Sequence, residues 1–317
     1  MTSEPEIRVR VRQIRYEADA VLSYELVALE GALPAFKAGA HVDVRVADDL
    51  WRSYSLLNDE GDRDRYVVAV HRTPDSRGGS AGIHAGFHAG DVVTIRAPRN
   101  HFPLDETAAH TVLVAGGIGV TPLLSMARRL EALGRSWEIY YAARTREQAA
   151  FLDDLAALAS DRVHAVLDGG RPEAMLDIAA MVGEKAAGTH FYCCGPVGML
   201  KAFEAATAGL PKGVVHVEYF SGAEEAALDG GYSVVLAKSG KTLDIPAGRS
   251  ILDVLLENNV DVSFACTDGV CGTCKTTVLA GEPDHRDSFL TDEEKASNST
   301  MMVCCSGSRS KSLTLDL

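Results

Sequence analysis

The chain has 317 residues, more than one ordinary core accommodates and enough for two or three domains. Hydrophobic residues make up 46% and charged residues 24%, the balance of a soluble globular protein, and no run approaches the roughly 20 apolar residues of a membrane span. A formal net charge of −13 argues against nucleic acid as a partner, since phosphates demand a basic face; it suits simple solubility or a basic protein partner.

The opening MTSEPEIRVR has no apolar leader core, so a cytoplasmic location is expected. Seven cysteines in a reducing compartment point to metal or redox chemistry before disulfides.

From Ile7 to about Pro103 the chain offers short alternating segments, IRVRVRQI, HVDVRV and RYVVAVHR, separated by Gly, Asp and Pro. This pattern predicts a small antiparallel β-barrel over residues 1–105. Arg8, Arg10, Arg12 and Arg15 lie mostly on one strand face and are expected in solvent. Inside this region, RSYSL (52–56) sits between two β segments, about 60 residues before a glycine-rich turn. This stretch resembles the R-x-Y-S motif of the ferredoxin reductase-like flavin barrel, a resemblance that implies Arg52 and Ser55 at the edge of a flavin and Tyr54 packed against it. In HRTPDSRGGSAG (71–82), exposed N–H groups after Gly78 and Gly79, the charge of Arg77 and the hydroxyl of Ser80 can cradle a phosphate. The alternative is a flexible hairpin loop.

From about Thr111 the period changes. TVLVA, WEIYYAA, VHAVL, HFYCC and VVHVEY read as strands, with helical patterns at 121–133 and 147–159. Such alternation predicts a parallel sheet flanked by helices over residues 106–222. In VLVAGGIGVTPLLSMARRL, Gly116, Gly117 and Gly119 let backbone approach a ligand, Thr121 can cap the helix, and Pro122 suits its first turn. The helix dipole adds only about 0.3 to 1 kcal/mol for an anion, so it orients more than it binds. Arg144 can pair with a pyrophosphate and Asp168 with ribose hydroxyls, and no basic cluster stands out for a 2′-phosphate. NADH is therefore expected over NADPH. Cys193 is assigned to the core.

SGAEEAALDGG is small, acidic and glycine-ended, and reads as a linker, with 223–231 joining the second domain to a third at 232–317. There a hairpin (YSVVLAKSGKTLDIPAG) and a helix (SILDVLLENN) precede CTDGVCGTC, and SLTLDL forms a last strand. Cys266, Cys271 and Cys274 are spaced C-x4-C-x2-C, and Cys304 follows after 29 residues, the plant-type [2Fe-2S] spacing. Gly269, Gly272 and Thr273 leave room for the loop to wrap closely around inorganic sulfide. A structural zinc site is the alternative, although zinc ribbons prefer paired C-x2-C knuckles. Cys305 competes with Cys304 for the fourth place; the spacing favours Cys304.

Residues 232–317 resemble a plant-type ferredoxin domain, of β-grasp fold. CTDGVCGTC, AGEPDHRDSFLTDEE and SLTLDL, with RSYS and GGIGVTP upstream in the same domain order, make almost the whole chain resemble the phthalate dioxygenase reductase and vanillate demethylase reductase family. The resemblance implies FMN rather than FAD, bound through Arg52, Ser53, Tyr54, Ser55, Val70, Arg72, Arg77, Gly78, Gly79 and Ser80. It places Thr121 near flavin and nicotinamide, Cys194 of the CGP element beside the nicotinamide, and Phe220 of HVEYFSG over the flavin face. Ser55, Thr121, Cys194 and Phe220 are thus the expected catalytic group.

The implied activity passes electrons from NADH through FMN and the cluster to a separate oxygenase. A Rieske-type non-haem iron enzyme acting on an aromatic or similar small compound is the favoured partner, and the family suggests a monomer. A cytochrome P450 or quaternary-amine oxygenase partner, a zinc-stapled NAD(P)H:flavin reductase and a non-catalytic redox sensor are the alternatives.

Overall fold

Alternating valine and arginine build the first strand, β1 (Glu6–Ala18), with Val9 and Val11 buried and Arg8, Arg10, Arg12 and Arg15 exposed, as the alternation predicts. With β2 (Val21–Ala28), β3 (His41–Ala47), β4 (Leu50–Ser55), β5 (Tyr66–His71) and β6 (Val92–Arg96) it forms an antiparallel sheet in the order β4-β3-β6-β1-β2-β5. A bridge between Leu56 and Val68, reinforced by Leu57 N–H donating to Val67 O at 3.0 Å, joins the two edges and closes the sheet into a barrel. Helix α1 (Gly79–Gly86) interrupts the run between β5 and β6.

The computed structural model describes residues 6–47, 50–74, 76, 78–220, 226–264 and 266–317. They divide into two compact units, Met1–Phe220 and Ser221–Leu317. Arg77 and the first residues of the expected linker fall outside the described residues.

The rest of the first unit alternates strand and helix: β7 (His110–Gly116), α2 (Val120–Ala132), β8 (Trp137–Ala143), α3 (Leu152–Ala159), β9 (Val163–Leu167), α4 (Ile178–Gly183), β10 (Thr189–Cys194), α5 (Val197–Thr207) and β11 (Val215–Glu218). The strands are all parallel, in the order β11-β10-β7-β8-β9. Central β7 is covered on both faces, and Val112, Leu113, Val114 and Ala115 are wholly buried. The helix expected from residue 147 begins only at Leu152, because Phe151 adopts a left-handed backbone (φ 60°) that interrupts the run. The barrel and the parallel sheet share one core, in which Val21, Leu57 and Ala69 pack with Leu123, Tyr141 and Phe151.

In the second unit, β12 (Tyr232–Leu236) and β13 (Thr242–Ile245) form the expected hairpin, and α6 (Ile251–Glu257) starts at a Ser250–Asp253 capping box. β14 (Lys275–Ala280), β15 (Pro283–Asp284), α7 (Asp292–Ser297), β16 (Thr300–Met302), β17 (Gly307–Ser308) and β18 (Ser312–Leu315) follow. The main sheet runs β13-β12-β18-β14-β16, and β18 lies parallel to β12. α6 buries Ile251, Leu252 and Leu255 against Leu313, Leu315 and Met301. No helix among the described residues is long and apolar enough to cross a membrane.

Candidate redox site

Three groups of side chains answer to the expected cofactors. The first lies at the start of α1. Gly78 there has φ 84°, which a residue with a side chain rarely adopts, and a Cβ on Gly79 would stand 2.7 Å from Arg52 Nε. Arg52 therefore lies across the Gly78–Gly79 turn, at the positive end of the helix. The N-cap supplies no side-chain bond, and Ala81 N–H donates to Ser76 Oγ at 3.2 Å. A cation and amides converging at a glycine turn fit a phosphate.

Neighbouring candidates are engaged otherwise. Ser80 Oγ bonds Ser76 Oγ at 3.1 Å and accepts from Thr73 N–H at 3.3 Å, and Ser53 donates to the buried Asp43 carboxylate at 2.7 Å. The Val70 side chain is wholly buried in the barrel core, leaving its carbonyl 2.9 Å from His84 Nε2; Arg72 is exposed. Burial pushes the Tyr54 phenol well up, so it stays neutral.

The second group borders a cavity of about 800 Å³ beyond the carboxyl ends of the parallel strands, the usual ligand position in such sheets. Gly116, Gly117, Arg144 and Asp168 line it, together with His71, Met175 and Met199. Ser55, Thr121, Cys194 and Phe220 are not among its lining residues. Asp168 is 8% exposed, and its Oδ1 accepts from Gly170 N–H at 2.6 Å. Thr121 does not cap α2 as expected: the helix starts one residue earlier at Val120, and the Thr121 hydroxyl donates to Ile118 O at 3.0 Å. Pro122 takes its expected place in the first turn.

Gly119 is the tightest point, since a Cβ there would stand 2.2 Å from Cys194 O. Cys193 is buried in the core as expected. Phe220 is 39% exposed, so it is no ordinary core phenylalanine.

Motif reading missed Glu218. It ends β11 directly opposite Cys194 of β10, half-buried, with an enclosed Oε2 that lacks any hydrogen-bond partner. Burial pushes its carboxyl up to about 8. Burial, and then the Glu218 charge, also push the Cys194 thiol well up, so Cys194 is no thiolate nucleophile. A carboxylate at the carboxyl end of a short parallel strand was the available signal.

The third group is the cysteine loop. Cys266, Cys271, Cys274 and Cys304 are all buried, at 3 to 7% exposure. They interact as two pairs, Cys266 with Cys271 and Cys274 with Cys304. Cys266 holds the Cys271 thiol down to about 6 and Cys274 holds Cys304 down to about 4, while Cys266 and Cys274 are themselves pushed up by those partners and by burial, so one thiol of each pair favours the thiolate. Asp268 N–H donates to Cys266 Sγ at 3.4 Å, and the Thr273 hydroxyl lies 3.2 Å from Cys271 Sγ. Gly269 and Gly272 have φ of 70° and 72°, and a Cβ on Gly272 would meet the Phe289 ring at 2.2 Å. Cys305 interacts with Cys304, and Cys304 and burial together push its thiol up.

No three His, Cys, Asp or Glu among the described residues converge on a single ion. A structural zinc needs such convergence. Two pairs of thiolates instead fit two irons, each taking two cysteines and sharing inorganic sulfide.

Comparison with known proteins agrees. Residues 234–307 match the family described as a 2Fe-2S iron-sulfur cluster binding domain, and residues 93–216 match the N-terminal domain of the dimethylamine monooxygenase subunit DmmA-like family. The chain is 52% identical over 313 residues to phenoxybenzoate dioxygenase subunit beta of Ectopseudomonas oleovorans, covering 98% of this chain and 97% of that one. It matches the solved structure of a phthalate dioxygenase reductase, described as modular for electron transfer from pyridine nucleotides to [2Fe-2S], at 41% identity, TM-score 0.81 and 98% coverage of both chains. It also matches an intact type IV self-sufficient cytochrome P450 monooxygenase at 39% identity and TM-score 0.82, spanning all of this chain and 42% of that longer one. The chain belongs to the oxygenase reductase family of phthalate dioxygenase reductase and the vanillate O-demethylase oxidoreductases.

Proposed function

We propose that this chain is the reductase component of an oxygenase system, taking a hydride from NADH and delivering electrons singly, by way of FMN and a [2Fe-2S] cluster, to a separate oxygenase. The carrying observation is the presence in one chain of a glycine-walled cavity suited to a dinucleotide and four buried cysteines gathered in one loop region with the plant-type [2Fe-2S] spacing. When bound, the nicotinamide supplies two electrons as hydride, the flavin can part with them one at a time, and the cluster accepts one.

The chain's own residues hold and orient these groups. Gly116 and Gly117 let backbone approach the dinucleotide, Arg144 pairs with its pyrophosphate, and Asp168 takes the adenosine ribose hydroxyls. A carboxylate there repels a 2′-phosphate, which favours NADH over NADPH. Arg52 and Arg77, with the Gly78–Gly79–Ser80 turn, hold the FMN phosphate; Ser53, Val70 and Arg72 contribute to the same site. Tyr54 packs along the flavin. Ser55, Thr121 and Cys194 border the contact between the two rings, with Gly119 setting the approach, and Phe220 shields the flavin face until nicotinamide arrives. Cys266 with Cys271 and Cys274 with Cys304 each hold one iron.

The dioxygenase relatives support a Rieske-type partner oxidising an aromatic or similar small compound. The relative fused to a cytochrome P450 supports the same relay serving that class. We place the chain, as a monomer, in the cytoplasm. The test is the anaerobic visible spectrum before and after NADH, with the released flavin identified and iron and acid-labile sulfide measured. Bleaching near 450 nm, FMN release and two of each inorganic atom are expected; colourless, iron-free protein would overturn the reading. Reconstitution with Rieske and P450 oxygenases then decides the partner.

A further inference from the structure

The turn after β15 holds a pair of side chains that the relay above does not use. His285 has a side chain only 10% exposed, yet neither ring nitrogen has a hydrogen-bond partner. Its Nδ1 lies 3.8 Å from Oδ1 of Asp287, whose side chain is fully buried and whose Oδ1 likewise makes no hydrogen bond. Buried polar atoms are rarely left so. One proton added to the imidazole turns this contact into an ion pair.

The pair backs onto the cysteine loop. Asp287 Oδ2 accepts from Phe289 N–H at 3.2 Å and Leu290 N–H at 2.7 Å, which fixes the carboxylate. A Cβ on Gly269 would stand 3.0 Å from Asp287 Cα, and Ser288 N–H donates to Gly269 O at 3.0 Å. Gly269 N–H in turn bonds the sulfur of Cys304. The charged and titratable groups around the pair are Asp284 and Arg286 on the same turn, Arg309 paired with Asp284 at 3.3 Å, and Tyr232 on β12 near Asp284. Lys295 of α7 donates to Asp287 O at 2.6 Å, and Asp287 acts on Cys305.

We propose that His285, beside Asp287, is the proton acceptor coupled to the [2Fe-2S] site and takes one proton from solvent for each electron accepted by the irons that the four cysteines would hold. This rests on the cluster assignment above. The electron comes from NADH by way of the flavin and the proton from solvent. Added negative charge is thereby met by a cation beside a fixed carboxylate, and both leave when the oxygenase takes the electron. Without that proton, the electron enters an interior already holding Asp287.

Where the reduced state holds one proton more than the oxidised state, the cluster midpoint potential falls as pH rises. One proton per electron is a tenfold change in equilibrium per pH unit, about 59 mV. The test is an EPR-monitored redox titration of the full holoprotein at pH 6 to 9, for wild type, His285→Gln and Asp287→Asn. A wild-type slope near this value over part of the range, flat in His285→Gln and moved to lower pH in Asp287→Asn, is expected. A flat wild type, or a slope that survives in His285→Gln, overturns the proposal. Proton uptake on dithionite reduction of wild type, read with an indicator dye, gives an answer that does not depend on the variants' folding: close to one proton per cluster supports the pair, and none refutes it. Absence of any cluster EPR signal would instead sink the cluster assignment.

Discussion

Replacing Gly119 by alanine tests whether the turn between β7 and α2 sets the geometry of hydride transfer. The residue has φ −62°, so alanine incurs no backbone strain and the effect is purely steric. Its Cβ would lie 2.2 Å from Cys194 O, 2.5 Å from Cys194 C and 2.8 Å from Gly195 N. These are backbone atoms, which cannot rotate away. Opening the closest contact from 2.2 Å to beyond 3.0 Å requires the turn and the end of β10 to part by at least 0.8 Å. Overpacking of this kind costs about 1 to 3 kcal/mol of stability, which a two-sheet unit survives. A displacement near 1 Å at a reacting centre lowers rate about 100-fold. Anaerobic stopped-flow should therefore show flavin bleaching by NADH slowed by about two orders of magnitude, with FMN content and cluster absorbance unchanged. Gly183→Ala, where nothing lies within 4 Å of the added methyl, serves as control and should bleach like wild type. Gly119→Ala bleaching within threefold of wild type would refute the reasoning.

Cys274→Ser should abolish reduction of cytochrome c or an oxygenase while leaving NADH-to-ferricyanide activity through the flavin; if both activities survive unchanged, the order of the relay is wrong. Burial alone would raise the Glu138 carboxyl, but Lys185 and His110 outweigh it and hold it down to about 2. This lowered value means Glu138 stabilises the fold above pH 4.5 and loses that contribution as pH falls toward 2; after discounting for solvent screening, Glu138→Gln should cost about 1 to 2 kcal/mol at pH 7 and almost nothing near pH 2 in urea titrations. Glu218 has the opposite sign, with a carboxyl raised to about 8, so its folded form keeps a proton that the unfolded chain has lost. The apoprotein should therefore lose stability relative to Glu218→Gln as pH rises from about 4.5 through 8, by on the order of 4 kcal/mol; parallel pH profiles would contradict this.

Much of the molecule is legible in its residues because the signals there are local. Period-two alternation marks the barrel strands, apolar runs mark β7 and β8, and the C-x4-C-x2-C loop with Cys304 marks the cluster domain. The start of α3 was not legible, because the left-handed Phe151 arises from tertiary packing. The capping of α2 was misread by two residues, Thr121 for Gly119, since a threonine hydroxyl bonding back to Ile118 O looks in sequence like a cap. The roles of Ser53 and Ser80 also depend on partners that sequence does not display, Asp43 for one and Ser76 for the other. Glu218 lay hidden because its meaning comes from what surrounds it: a lone acidic letter says nothing about whether water reaches it.

β18 runs through the middle of its sheet, flanked by β12 and β14, although it follows all four cysteines in the chain. The ribosome has thus synthesised Cys266, Cys271, Cys274 and Cys304 before the scaffold that gathers them can close. Trimming residues 312–315 would remove the strand that joins β12 to β14 and should leave a chain that retains no iron, which metal analysis of the purified variant checks.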